Sequence, residues 1–166
     1  MSKIGIISGG GKLPVLIGNN LIKKNYEVIF FVIEDTFNKQ IYSNLKTIEI
    51  KLNSIKKIFN TLKENNIKKI ILAGNITRPS LRDINFDYET INFAKKLLLN
   101  QKGDNDLLIS ITKLFQDKGF EYLDWKVYCS ELFSNKKNLT IIKPSKESNL
   151  NLDKALKVFK HYGQLD

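Results

Sequence analysis

Lys3-Ile4-Gly5-Ile6-Ile7-Ser8-Gly9-Gly10-Gly11-Lys12-Leu13-Pro14 stands at the start of this 166-residue chain. Lys3–Ser8 is a short apolar segment of strand length that breaks at three glycines. Leu13–Lys24 follows with helical spacing, and Pro14 suits a first helical turn. Tyr26–Ile33 is a nearly continuous apolar run rich in β-branched and aromatic residues, the pattern of a strand covered on both faces. Glu34-Asp35 ends it, and Lys46–Lys51 alternates apolar and polar residues as a third strand. Ser54–Asn65 places Ile55, Ile58, Phe59 and Leu62 on one helical stripe behind a cap at Asn53 or Ser54. Lys68–Ala73 is a fourth, buried strand that stops at Gly74. Strands alternating with helices at this spacing predict an α/β, Rossmann-like fold: a mainly parallel sheet with helices on both faces. Ligands in such sheets sit at the carboxyl ends of the strands. Ser8–Lys12, Glu34-Asp35 and Gly74–Asp83 each follow a strand, so the site is expected there.

The second half is less regular. Tyr88–Leu99 reads as a helix, Gly103-Asp104-Asn105-Asp106 interrupts, and Leu107–Lys118 resumes with Leu108, Ile111 and Phe115 inward. Gly119 fits a helix C-terminus, and Phe120–Trp125 reads as a strand. Ser130–Phe133 reads as a helical turn. Leu150–Tyr162 reads as a helix with Leu152, Ala155, Leu156 and Phe159 on its buried side.

Hydrophobic residues make up 42% and charged residues 27%, which excludes wholesale disorder. No apolar run approaches the roughly 18 residues that cross a bilayer, and the N-terminus shows no secretory h-region. Cys129 is the single cysteine, so neither an intrachain disulfide nor a thiolate-cluster zinc site can form. The reducing cytoplasm is the expected compartment, with peripheral contact at a membrane left open. His161 is the single histidine, and a Ser-His-Asp or Cys-His set would have to pass through it. The net charge is +10. Only Arg78 and Arg82 are arginines; the other 25 cations are dispersed lysines. Dispersal reads as a solvated surface rather than a nucleic-acid groove, while steering of anionic substrate or contact with an anionic membrane stays open.

Three segments can carry chemistry. Gly9, Gly10 and Gly11 let the backbone approach a ligand with its N–H groups turned inward, and Lys12 with the following helix start favours a phosphate. This is not a P-loop, since no Gly-Lys-Ser/Thr follows at the required spacing. It is an incomplete dinucleotide fingerprint, with Pro14 where the third glycine would stand and Glu34-Asp35 near the place of a ribose-binding carboxylate. Ala73–Leu81 holds Arg78, whose planar fork suits phosphate or carboxylate, with Pro79 biasing it to an extended backbone. Asp104 and Asp106 can hold a divalent cation or ligand hydroxyls, or cap the helix that follows. Cys129, Tyr122 and Trp125 read as packing residues, and His161 as a helix-end charge.

Taken in order, these segments resemble the LpxI type of UDP-2,3-diacylglucosamine pyrophosphatase. The likeness rests on Ser8–Pro14, on Leu72-Ala73-Gly74-Asn75-Ile76-Thr77-Arg78-Pro79 and on Lys102-Gly103-Asp104-Asn105-Asp106-Leu107-Leu108. It continues through Gly119-Phe120, Leu152-Asp153 and Gly163-Gln164-Leu165-Asp166. The resemblance implies hydrolysis of the diphosphate of UDP-2,3-diacylglucosamine to 2,3-diacylglucosamine 1-phosphate and UMP in lipid A synthesis. It also implies a divalent metal (magnesium or manganese), and two domains with the lipid product held between them. The family's catalytic aspartate lies in a Gly-Thr-Asp segment of the second domain. No Gly-Thr-Asp occurs here, so no catalytic residue is carried over. Asn75, Thr77 and Asn105 are smaller departures.

The expectation is one N-terminal domain over 1–166, with 145–166 a linker helix toward a catalytic domain outside this sequence. Its substrate-binding residues are Gly9, Gly10, Gly11, Lys12, Arg78, Asp104 and Asp106, with metal ligands unassigned. The partner is a nucleotide-activated glycolipid; nucleic acid is not expected, and association of copies stays open. Two alternatives remain: a nucleotide- or NAD-binding domain of an oxidoreductase, and a non-catalytic binding domain.

Overall fold

The computed structural model describes residues 2–36, 38, 40–52, 54–75, 90–91, 104–133 and 141–162, with the backbone alone at 104–108. The chain divides into two compact units, Met1–Ser130 and Glu131–Asp166.

The first unit is built on a parallel sheet. Its strands are β1 (Lys3–Ser8), β2 (Glu27–Ile33), β3 (Thr47–Ile50), β4 (Lys69–Ala73) and β5 (Glu121–Tyr122). They lie in the order β3-β2-β1-β4-β5, and all four pairings are parallel. The helices are α1 (Leu13–Lys23), α2 (Ile55–Glu64), α3 (Asp104–Asp117) and a single turn α4 (Trp125–Tyr128). The α/β, Rossmann-like class expected from the sequence is the one observed.

Alternation of side chains along each strand divides the core in two. On one face Ile4, Ile6, Val28, Phe30, Val32 and Ile71 meet Ile17 and Leu21 of α1. On the other Ile7, Ile29, Phe31, Ile33 and Ile70 meet Ile55, Ile58, Phe59 and Leu62 of α2 and Phe115 of α3. Helices therefore cover both faces, which is why β2 is apolar without interruption. Phe30 and Phe31 point to opposite faces and are both fully buried. Burial of each contributes about 1.5–3 kcal/mol relative to exposure. Phe59, Phe115 and Phe120 close the second face, with ring centroids 5.2–5.9 Å apart.

Local rules explain most element ends. Gly119, at φ 87°, terminates α3: Phe120 N–H donates to Phe115 O at 3.0 Å and Gly119 N–H to Gln116 O at 2.9 Å. Ser54 is the N-cap of α2, but its side chain makes no capping bond. Thr90 Oγ1 instead accepts from Ile55 N–H at 3.1 Å in a buried position.

Some elements differ from the sequence expectation. The strand expected over Phe120–Trp125 is only two residues long. Asp124 caps the α4 turn, accepting from Lys126 N–H at 3.0 Å, and so diverts the chain out of the sheet. Cys129 is fully buried, with Sγ 3.9 Å from Ile17 O, and Trp125 packs on the α1 face, both as packing residues. The helix expected over Tyr88–Leu99 lies outside the described residues, apart from a helical stretch at 90–91.

The second unit contains α5 (Lys146–Tyr162). It starts four residues earlier than expected because Ser145 caps it, its Oγ accepting from Ser148 N–H at 3.1 Å. The expected buried side is not buried: Leu152, Leu156 and Phe159 are 55%, 57% and 76% exposed. Helical spacing sets which residues share a face, but burial needs a second element to meet that face. Among the described residues of this unit the other element is the 3₁₀ turn Ser130–Leu132, too short to cover such a face.

Candidate functional site

The register sets the C-terminal ends of the central strands level, with Ser8 opposite both Val32 and Ala73. Strand order reverses between β1 and β4, so the turns after these two strands flank the topological switch point. Those turns carry the two sequence segments singled out first. They are joined: Gly10 N–H donates to Asn75 O at 2.7 Å, and Asn75 N–H donates to Gly10 O at 3.0 Å. Gly9 N–H donates to Ala73 O at 2.8 Å.

This approach is too close for side chains. A Cβ on Gly9 would stand on the Asn75 carbonyl, with the carbonyl carbon only 2.8 Å away. A Cβ on Gly74 would meet Gly10 O at 2.7 Å, and its φ of 93° is unsuited to an L residue besides. Gly11 differs. Its φ is 92°, yet nothing lies within 4 Å of where its Cβ would be.

The three glycines thus divide their work. The sequence expectation turned all three amides toward a ligand. The structure commits those of Gly9 and Gly10 to the chain itself, because the loop after β4 comes within hydrogen-bonding range. The Gly11 and Lys12 amides donate to no described residue. Lys12 is the N-cap of α1 and is exposed, and the first turn of α1 carries no acidic residue to offset its positive end. Open space, unengaged N–H groups, a helix start and a lysine fit an anion such as phosphate.

The neighbouring rim is polar. A 3₁₀ turn, Glu34–Thr36, follows β2, and Thr36 Cβ lies 3.8 Å from the Cβ position of Gly10. Thr36 Oγ1 donates to Ile33 O at 2.8 Å, which holds this turn onto the strand end. Glu34 pairs with Lys51 at 3.0 Å, both side chains about half exposed, while Asp35 is exposed. Beneath the glycine bend, buried Ser8 and Tyr42 share a short hydrogen bond between hydroxyls. Tyr42 also meets Phe30 edge to face at 5.5 Å.

Sequence reasoning placed Gly9–Gly11 and Gly74–Asp83 at the expected site, where Gly74 and Asn75 are found, and missed Tyr42 as part of the same rim. Gly18 was missed too. A Cβ there would run into the Phe30 ring, so this glycine sets how closely α1 lies on the sheet. In a dinucleotide fingerprint the third glycine has that task, and here it stands four residues after Pro14.

Arg78 and Pro79 lie outside the described residues; Asn75, three positions earlier, is joined to the glycine bend. Asp104, Asn105 and Asp106 do not precede their helix as expected. They lie in the first turn of α3. Among the described residues no three His, Cys, Asp or Glu side chains stand together as a metal site. The described part of the rim does not by itself fit a divalent cation. Likewise no described helix is long and apolar enough to cross a membrane.

The family model described as LpxI N-terminal domain matches residues 3–132. Over 167 residues the chain is 26% identical to the UDP-2,3-diacylglucosamine pyrophosphatase LpxI of Caulobacter vibrioides, and it spans 100% of this chain but 59% of that protein. Among solved structures it is similar to a UDP-glucose-4-epimerase from Stenotrophomonas maltophila with bound NAD and formylated UDP-arabinopyranose. That likeness has a TM-score of 0.48 and 9% identity, covering 98% of this chain and 50% of that one. The UDP-glucose 4-epimerase of Thermus thermophilus complexed with NAD follows at TM-score 0.40 and 13% identity, covering 68% and 34%.

Proposed function

The chain belongs to the LpxI family through its N-terminal domain, and from that premise we propose that it is the part of a lipid A pathway hydrolase that holds the phosphorylated end of UDP-2,3-diacylglucosamine. The reaction is cleavage of the substrate's diphosphate to 2,3-diacylglucosamine 1-phosphate and UMP. The catalytic aspartate belongs to a segment this sequence does not contain.

One observation supports the reading above the others: the double hydrogen bond between Gly10 and Asn75 at the switch point. It ties the glycine turn to the loop that leads into Arg78. In this proposal Gly9 and Gly10 shape the cradle, and the Gly11 and Lys12 amides donate to phosphate. Arg78 adds a two-pronged charged contact, and Asp104 and Asp106 take sugar hydroxyls beside it. The expected setting is the cytoplasm at the inner membrane.

The test is binding of 2,3-diacylglucosamine 1-phosphate to wild type and Arg78→Ala. A charge-assisted contact is worth about 1.5–3 kcal/mol, so affinity should fall roughly ten- to a hundredfold. Equal affinity would remove Arg78 from the site.

A second reading has its own support. Glu34 and Asp35 open the turn after β2 whose Thr36 meets the glycine bend, near the place of a ribose-binding carboxylate in NAD-dependent domains. It predicts a rise in melting temperature with NAD or NADP, and no rise at millimolar cofactor dismisses it. The third, a non-catalytic domain, predicts no hydrolysis even when the family's second domain is supplied.

A further inference from the structure

We propose that Tyr42 is a positioning residue for the anion cradle. Its hydroxyl, held on Ser8, fixes the point from which the glycine bend sets out, and so the direction in which Gly11 and Lys12 offer their N–H groups. The proposal rests on the phosphate-binding reading above and adds to it a residue that touches no ligand.

The bend needs such support. Glycine has more backbone freedom than any other residue, and three stand in a row. Donors bind an anion well only when they are held in place before it arrives. Gly9 and Gly10 are fixed by the loop after β4. Gly11 is not: no described residue lies within 4 Å of its Cβ position. Its amide therefore takes its direction from what flanks the bend. On one side is α1, where Leu16 N–H donates to Lys12 O at 3.1 Å. On the other is Ser8.

By alternation Ser8 continues the face of Ile4 and Ile6, and all three are fully buried. A hydroxyl in that apolar setting is costly unless it is bonded. The strand end does not need it, since the Ser8 backbone already lies in the ladder between Val32 and Ala73. Its partner comes from the connection between β2 and β3: the buried Tyr42 hydroxyl shares a hydrogen bond with Ser8 Oγ. Tyr42 is held on its own account. Its ring meets Phe30 edge to face, and its backbone O accepts from Leu45 N–H at 3.0 Å. The same connection reaches the bend a second time, through Thr36 against Gly10. One segment thus grips both the bend and the residue before it.

The experiment is calorimetric titration of 2,3-diacylglucosamine 1-phosphate into the 166-residue chain, with melting temperatures recorded alongside. The variants are Tyr42→Phe, Ser8→Ala, the two combined, and Leu62→Ala. Tyr42→Phe keeps the ring on Phe30 and Ser8→Ala adds no bulk, so both fold. Each removes the same link. Affinity should fall about three- to tenfold in either single variant and no further in the double. Leu62 is fully buried on the opposite face of the sheet. Leu62→Ala should lower the melting temperature more than either variant and still bind like wild type. Wild-type binding with Tyr42→Phe and Ser8→Ala unchanged overturns the role of Tyr42 and leaves the phosphate site standing. An equal loss in Leu62→Ala overturns it too, because affinity then follows stability alone. No binding by wild type removes the phosphate site, and this role with it.

Discussion

Replacing Gly9 by alanine tests the architecture of the rim directly. The added methyl would stand on the Asn75 carbonyl, and the obstruction is backbone, so no rotamer change can relieve it. The two turns must separate. Three backbone hydrogen bonds hold them, from Gly9 to Ala73, from Gly10 to Asn75 and from Asn75 to Gly10. At about 1 kcal/mol each, their loss destabilises the fold by roughly 2–3 kcal/mol. Gly11→Ala is the matched control. Its methyl meets nothing within 4 Å, so its cost is only the left-handed backbone at φ 92°, about 1 kcal/mol. With a urea slope near 2 kcal/mol/M, the midpoint should fall by about 1–1.5 M for Gly9→Ala and about 0.5 M for Gly11→Ala. Far-ultraviolet circular dichroism reads both midpoints. Equal shifts, or a larger one for Gly11→Ala, would refute the claim that the bridge to Asn75 constrains this turn.

Other substitutions probe separate parts of the structure. Gly18→Ala overpacks Phe30 and should cost about 1–3 kcal/mol in thermal melts, with Phe30→Leu returning part of the loss in the double variant. Thr90→Val leaves the buried Ile55 N–H without its acceptor and should cost about 1–3 kcal/mol in urea melts. Burial pulls the Glu27 carboxyl upward, but hydrogen bonds and charge attraction from Lys3 and Lys46 outweigh it and hold its pKa below the usual carboxylate range. A depressed folded-state pKa gives stability that is present above the unfolded value and lost as pH falls through the folded one. Wild type should therefore lose more stability than Glu27→Gln between about pH 5 and pH 3 in urea titrations.

The sheet was legible in the sequence because each of its first four strands writes its own burial. Tyr26–Ile33 is apolar at every position, and it is covered on both sides. β5 was overextended because Phe120–Trp125 is apolar enough for a strand, while the Asp124 cap that ends it is a single oxygen. The stripe on α5 was read correctly as a face and wrongly as a buried one, since periodicity carries no information about what a face meets. At the site, the glycine turn announced itself by composition. Its partner loop was placed by the apolar strand before it, but the bridge itself was not legible, because Asn75 acts through its backbone and leaves no trace in residue type. Tyr42 is equally silent: its contact with Ser8 joins positions 34 residues apart.

Gly18, Phe30, Tyr42 and Ser8 form a continuous line of touching groups from the back of α1 to the residue before the glycine bend. Each link is rigid: a missing methyl, a ring, a second ring set edgewise, a hydroxyl pair. A change of volume at the far end has nowhere to dissipate except along the line. A mutational scan scored by activity alone would therefore mark Gly18 as though it touched substrate. Among relatives, bulk gained at this helix position should be matched by bulk surrendered at the ring beneath it.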